Sequence, residues 1–511
     1  MSAELLDQPF ATLPALVASY AALQGSSTAL IAADRRVTYA ELDILADRIA
    51  ASLWRDGVRP GAAIAICAAN SIEYVACYIG ALRAGAIAAL LPTMVTPESL
   101  RSMVADSRAV LLFVDSAGAA AFAGEVAQPR MITLDGSDAG VRLRNWLAPE
   151  GTRGPSIALT PEAPCNIIYS SGTTSAPKGV VQSNAMRWAH IRYAALLGDE
   201  AVMMISTPLY STGGSVSLLM ALGAGGAAVI MDRFDAAGFL RLAEQYRATH
   251  ATLVPVQYRR ILAQPEFDSR DLSSFRMTLS MAAASSAQLK AEILRRWPGG
   301  LAEIYGMTEG GGGCLLIAHE RRDKLHTVGR PGVNNDIRVI DDDGQELPVG
   351  QIGEVVGRSP IMMSGYHNRP DQTAEVEWRD EDGNRFIRSG DIGWFDEEGF
   401  LTIVDRKKDM IISGGVNVYP RDLESVLLSH GQVEDAAVVA APSERWGETP
   451  VGFVVLKPGP ELQPRDLLSW TNGRLGKTQR LSDLRLVDEL PRNALGKVLK
   501  RELRDRLSAS T

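Results

Sequence analysis

Short, fully apolar runs alternate with longer amphipathic stretches along most of the chain, the pattern of parallel strands wrapped by helices. Ala62-Ala63-Ile64-Ala65-Ile66-Cys67 reads as a buried strand, Ser71 to Gly85 as a helix, and Ile87-Ala88-Ala89-Leu90-Leu91 as the next strand. The unit recurs from Val202-Met203-Met204-Ile205 through a helix to Ala227-Ala228-Val229-Ile230. Between Ile337 and Gly357 the pattern changes to short strands broken by turns such as Asp342-Asp343-Gly344, which predicts an antiparallel or barrel-like subdomain. At Val404-Asp405-Arg406-Lys407-Lys408 an apolar strand gives way to charge; beyond it come Met410-Ile411-Ile412, a Ser413-Gly414-Gly415 turn and a helix from Asp422. The expected fold is α/β: a large multilayer N-terminal domain of sheets flanked by helices, with a small barrel-like subdomain, and a smaller α+β C-terminal domain.

At 511 residues the chain exceeds a typical single domain, and with 46% apolar residues it has ample material for a core. A net charge of −8 offers no basic surplus to displace counterions, so nucleic acid is not an expected partner. Cys67, Cys77, Cys165 and Cys314 are scattered and suggest neither a disulfide framework nor a zinc site. The first residues, Met1 to Asp7, carry acidic side chains and no basic segment before an apolar core, unlike a signal peptide. Val216 to Met231 is the most apolar stretch, but Gly223, Gly225 and Gly226 make it helix, turn and strand rather than a membrane span. A cytoplasmic protein with no transmembrane segment is expected, and a homodimer is compatible with the sequence.

The run Tyr169-Ser170-Ser171-Gly172-Thr173-Thr174-Ser175-Ala176-Pro177-Lys178-Gly179 crowds hydroxyls and one ammonium between glycines after the apolar Ile167-Ile168. Glycine allows amide N–H groups to converge on an anion, and the side chains add rotatable donors, so the loop suits a phosphate chain. It is not a Walker A loop, because Pro177 stands where that pattern needs glycine. Downstream come Tyr305-Gly306-Met307-Thr308-Glu309, Arg388-Ser389-Gly390-Asp391, Asp405-Arg406-Lys407-Lys408-Asp409 and Pro491-Arg492-Asn493-Ala494-Leu495-Gly496-Lys497. In sequence and order these strings resemble the signatures of the adenylate-forming superfamily, which includes acyl-CoA synthetases, adenylation domains of peptide synthetases and firefly luciferase.

The resemblance implies two half-reactions. A carboxylate attacks the α-phosphate of ATP to give an acyl-adenylate and pyrophosphate, and the thiol of CoA then displaces AMP. The work of the protein is positioning and electrostatic stabilisation. Ser170, Ser171, Gly172, Thr173, Thr174 and Lys178 would hold the β- and γ-phosphates, Thr308 the α-phosphate, and Glu309 a Mg²⁺ ion. Tyr305, with Gly306 and Met307, would meet adenine, as would Ala282 and Ala283 in a looser match. Asp391 would accept from the ribose hydroxyls, and Arg406 would reach the ribose. Lys497 would bridge carboxylate and α-phosphate during adenylation. Asp405 would be the pivot of a hinge at 405–406, dividing an N-terminal ATP- and acyl-binding domain (1–404) from a mobile C-terminal domain (407–511). Ser413, Gly414 and Gly415 would line the pantetheine tunnel, and Lys408, Arg445 and Trp446 would meet the nucleotide end of CoA.

Three departures from the family pattern bear on the substrate. Ser175 replaces a glycine of the phosphate loop, and Ser211 stands where many relatives carry histidine. No aspartate occupies that segment to hold a substrate ammonium, which disfavours amino acids. Tyr210, Ser211, Gly213, Gly214, Val256, Tyr258, Gly310 and Gly311 would surround a neutral acyl group, of cinnamate or benzoate type or a medium to long aliphatic chain. A second carboxylate would be rejected for want of a cation. The expected activity is an AMP-forming acid–thiol ligase using ATP, Mg²⁺ and CoA, with no carrier-protein module expected after Thr511. The alternatives are a stand-alone adenylating enzyme that loads a carrier protein, a luciferase-like oxygenating relative, and an idle nucleotide-binding homologue. Lys497 would also be a target for a lysine acetyltransferase and its deacetylase.

Overall fold

The computed structural model describes residues 5–123, 129–170, 177–198, 200–414, 416–459, 462–476, 479–493 and 496–508. Internal contacts concentrate in two compact units: residues 1–336 with 358–387, and residues 337–357 with 388–511.

The first unit holds two large sheets. In one, the parallel strands Pro164–Ser170, Ile87–Leu90, Ala63–Cys67, Leu111–Val114, Arg130–Thr133 and Val141–Arg142 lie side by side, and Lys178–Ser183 and then Gly365–Tyr366 are added antiparallel at one edge. Ala63–Cys67 is buried at every position, as a parallel strand covered on both faces must be. Burying one Ile or Leu of such a strand is worth roughly 2 kcal/mol. Ile72–Arg83 is the expected helix, with Ser71 as N-cap accepting from the Tyr74 amide. Beside the phosphate-loop strand, Cys67, Leu91, Val114, Ile167 and Tyr169 pack against Leu100, Met103 and Val104.

The other sheet runs Arg330–Pro331, Cys314–Ile317, Gly300–Tyr305, Met277–Ser280, His250–Leu253, Val202–Ile205, Ala227–Ile230, Thr28–Ala32, Arg35–Thr38, parallel through its centre. The apolar stretch near Val216 is indeed helix Thr212–Gly223, a turn with Gly225 at φ +66°, and strand Ala227–Ile230. Among the described residues no helix is long and apolar enough to cross a membrane.

In the second unit, 337–340, 353–357 and 388–395 are neighbouring strands, and Leu401–Arg406 pairs antiparallel with the last of them. The C-terminal sheet places Ile411–Ser413 between Val416–Val418 and Gly447–Leu456, which pairs in turn with Val433–Ser443 and Asp483–Leu486. Its strands show a two-residue period. Ala436, Val438 and Val454 join Leu423, Leu427 and Leu467 on one face, while Ala437, Val439, Val451 and Phe453 join Leu503 and Leu507 on the other. The helix expected from Asp422 starts at Pro420, which tolerates the first helical position because its missing N–H has no partner there anyway.

Candidate active site

The candidate residues fall on both units. In the first, Ser170 ends one strand directly opposite Lys178, which begins the next. Ser171, Gly172, Thr173 and Thr174 lie outside the described residues, and of Ser170 only the backbone is placed. The Lys178 ammonium lies 5.1 Å from the centre of the Tyr366 ring. That phenol donates to Glu309 Oε1 at 2.8 Å, so one aromatic side chain touches two residues picked from separate motifs. Burial, then the charge of Glu309, push the Tyr366 phenol far above its ordinary pKa, so it remains a donor.

Glu309 and Thr308 sit in the turn between Gly300–Tyr305 and Cys314–Ile317. The Met363 amide donates to the Glu309 carbonyl at 2.8 Å, and the Thr212 hydroxyl donates to Thr308 Oγ1 at 2.9 Å. Met307 packs on a small cluster of Val180, Met363, Tyr366 and Ile387, and Gly306 is exposed. Gly310, at φ +71°, and Gly311 are packed tightly: a Cβ on Gly310 would collide with the Ile361 carbonyl oxygen, and one on Gly311 would lie 2.7 Å from Ile387 Cβ. Their lack of side chains lets the loop close down beside Glu309. Among the described residues no group of three or more His, Cys, Asp or Glu could hold a metal. Mg²⁺ keeps waters and phosphate oxygens in its shell and takes one or two carboxylates, so Glu309 fits such an ion.

The acyl residues divide. Tyr210 is buried, which pushes its pKa up to about 12. Ser211 caps helix Thr212–Gly223, accepting from the Gly214 amide at 3.1 Å and donating to the Pro208 carbonyl at 2.7 Å. A Cβ on Gly213 would lie 3.0 Å from Met281 Sδ, so Met281 covers that position. Ala282 follows at φ +69°, a left-handed conformation that costs a non-glycine residue energy, and Ala283 is half-buried. Val256 is half-buried, while Tyr258 is fully enclosed with its ring 5.7 Å from Trp297, in an aromatic core shared with Phe239, Phe267 and Phe275.

Sequence reasoning placed no cation here and missed Arg187. It is 3% exposed, donates to Asn166 Oδ1 and Ser215 Oγ, each at 3.1 Å, and forms no ion pair among the described residues. No local string marked it, because its partners come from another strand and another helix. Tyr366 was missed for the same reason.

In the second unit Asp391, nearly buried, pairs with Arg406 Nε at 2.6 Å across the ladder. Gly390, at φ +68°, turns the chain, and the Ser389 hydroxyl donates to the Val355 carbonyl while accepting from the Asp391 amide. Asp405 accepts from the amides of Arg406 at 2.7 Å and Arg421 at 2.9 Å, the latter in the first turn of helix Pro420–Leu428. Burial raises its pKa, opposed by Lys500.

Lys497 is presented by its own motif. Arg492 donates to the Gly496 carbonyl and pairs with Asp435; Lys497 N donates to Asn493 Oδ1 at 2.9 Å, and Gly496 turns at φ +73°. Although Lys497 keeps solvent-exposed surface, crowding by protein atoms and then the cations Arg406 and Lys408 bring its pKa down to about 8, against Asp391 and Asp409. Gly414 takes φ +59°, with the Trp446 ring packed where a Cβ would sit; Arg445 lies 4.6 Å over that ring, and Ser413 pairs with Gly447. Gly415 lies outside the described residues.

Residues 17–367 match the family model of AMP-binding enzymes, and residues 422–497 match that of the AMP-binding enzyme C-terminal domain. The chain belongs to the AMP-binding enzyme family. This bears out the superfamily, the α/β fold and the class of acid–thiol ligase using ATP, Mg²⁺ and CoA. Its small-molecule partners are a carboxylic acid and CoA. This AMP-binding enzyme is 32% identical to an indoleacetate–CoA ligase of Aromatoleum aromaticum, over 96% of the chain and 97% of the relative. It is 33% identical to a fatty acid–[acyl-carrier-protein] ligase, ScoC, of Streptomyces coeruleorubidus, over 97% and 96%. ATP-bound MatB from Rhodopseudomonas palustris superposes with a TM-score of 0.87 at 28% identity, over 96% of this chain and 98% of that one.

Proposed function

We propose that this cytoplasmic enzyme activates a neutral carboxylic acid, aromatic or medium- to long-chain aliphatic, and transfers the acyl group to CoA. In the first step a carboxylate oxygen bonds to the α-phosphorus as pyrophosphate leaves; in the second the CoA sulfur bonds to the carbonyl carbon, AMP leaves, and the thiol proton passes to solvent. The observation that carries the reading is Lys497 on a braced hairpin among Arg406, Lys408, Asp391 and Asp409, an ammonium poised to lower the repulsion between two anions.

In this reading Lys178, with Ser170, Ser171, Gly172, Thr173 and Thr174, holds the terminal phosphates, and Thr308 orients the α-phosphate. Tyr305, Gly306, Met307, Ala282 and Ala283 accommodate adenine, and Asp391 and Arg406 the ribose. Mg²⁺ on Glu309 would offset charge on phosphate oxygens. Tyr210, Gly213 and Gly214 bound the acyl group. Gly310, Gly311 and Tyr258 support it through packing, and Ser211 through its cap. Ser413, Gly414, Gly415, Lys408, Arg445 and Trp446 receive CoA. Asp405 is the pivot of the 405–406 hinge between domains 1–404 and 407–511.

The likeness to the indoleacetate ligase favours an aryl acid. The deciding experiment measures pyrophosphate and AMP release from Mg·ATP across cinnamate, benzoate, arylacetate, short- and long-chain acids, with and without CoA. CoA-dependent AMP release on one class is expected; silence on all would overturn the reading.

A carrier-protein acceptor is favoured by the likeness to ScoC and by exposed Ile412, Val416 and Trp446 beside Gly414. Thioester formed on a phosphopantetheinyl carrier protein and not on CoA would establish it. Acetylation of solvent-facing Lys497 is an off switch in this reading, and mass spectrometry with activity before and after deacetylation tests it; unchanged activity would sink it. A homodimer is expected by sedimentation.

A further inference from the structure

Tyr366 stands on a strand of two residues, yet the segment 364–369 is tied to several parts of the first unit. The Ser364 amide donates to the Val181 carbonyl at 2.9 Å, and the His367 amide to the Gly179 carbonyl at 2.7 Å, so the segment runs along the strand that begins with Lys178. The Asn368 side chain donates to the Asp106 carbonyl at 3.1 Å, and the Asp106 carboxylate accepts from the Tyr169 hydroxyl at 2.8 Å, next to the other end of the phosphate run. The Tyr366 amide donates to Thr373 Oγ1 at 2.9 Å, which fixes the backbone from which the ring projects.

From that fixed backbone the residue, 8% exposed and packed with Val180, Met363 and Ile387, makes two further contacts. Its hydroxyl occupies Glu309 Oε1, which orients the carboxylate and leaves the other oxygen for a ligand. Its ring face attracts the Lys178 ammonium. A neutral phenol can do both at once, whereas a second carboxylate or cation would pair with one of the two and repel the other.

We propose that Tyr366 is a positioning residue that sets the geometry of the metal-binding carboxylate and the phosphate-loop lysine together. This deepens the function proposed above and rests on the roles given there to Glu309 and Lys178. The hydroxyl acts through Glu309 and the ring through Lys178, so the two can be separated by substitution.

Mn²⁺ binding is measured by electron paramagnetic resonance in the presence of α,β-methylene-ATP, and pyrophosphate binding without metal by calorimetry. Tyr366→Phe keeps the ring and is expected to weaken Mn²⁺ on the order of tenfold, as loss of a residue supporting a metal ligand does, with metal-free pyrophosphate affinity unchanged. Tyr366→Leu is expected to weaken both. In a Glu309→Gln background, Tyr366→Phe should have no further effect on Mn²⁺. Wild-type Mn²⁺ affinity in Tyr366→Phe, or the same loss persisting in Glu309→Gln, would overturn the inference. A wild-type protein that binds the nucleotide analogue with no metal dependence would instead overturn the role of Glu309, and the inference with it.

Discussion

Asp391 and Arg406 face one another across an antiparallel ladder, their side chains joined at 2.6 Å with the carboxylate nearly buried and the guanidinium partly open to water. A ribose offering two hydroxyls to Asp391 would meet a carboxylate already oriented by its partner. Asp391→Asn keeps the shape but halves the acceptor capacity and removes the charge. Its expected effect is a loss of roughly tenfold or more in AMP affinity, the cost of charged hydrogen bonds, read by calorimetry; unchanged affinity would remove Asp391 from the nucleotide site.

Lys497→Ala should abolish adenylation, followed as acid-dependent pyrophosphate–ATP exchange, while leaving thioester formation from a supplied acyl-adenylate largely intact. Equal loss in both assays would mean that the hairpin is structural.

The pKa of Lys497 near 8 sets a sign for pH dependence. The ammonium is the form that adenylation needs, so kcat/KM for ATP should be flat below about 8 and fall as the pH rises through that value. Lys408→Met removes a neighbouring cation, which makes protonation of Lys497 easier and should move the limb to higher pH. A limb that stays in place or moves down would show that it belongs to another group.

Ala282 holds a left-handed backbone at φ +69° on an exposed loop, where glycine would carry no strain. Ala282→Gly is expected to stabilise the protein by about 1 kcal/mol, the relieved strain exceeding the added freedom of the unfolded chain. The denaturant midpoint decides; a lower midpoint would rule this out.

Gly310→Ala combines a positive φ with a collision against the Ile361 carbonyl. A cost of about 3 kcal/mol is expected, with weaker Mn²⁺ binding because the adjoining Glu309 must shift. A variant as stable as the parent would show that the loop can open.

The strand and helix order was readable because it depends on local pattern. Fully apolar Ala63–Cys67 is short and bounded by turn residues, as a strand covered on both faces is, and Ser71 caps the helix after it. The motifs around Glu309, Asp391 and Lys497 were readable for a related reason: each contains glycines or short-range donors that shape its own turn, as Gly310 does after Glu309, Ser389 and Gly390 before Asp391, and Asn493 and Gly496 for Lys497. What neighbours in sequence do to each other, the sequence alone determines.

Contacts between distant segments were decided only by the tertiary structure. Nothing in Gly365-Tyr366 announces that its phenol reaches Glu309 and its ring Lys178, and nothing near Arg187 announces Asn166 and Ser215 as its partners. Tyr258, which the family resemblance placed around the acyl group, is fully buried with its ring against Trp297, a contact between segments far apart in sequence. Pairings of this kind arise when sheets and helices pack, and that packing is driven by area removed from water, a quantity without memory of position along the chain.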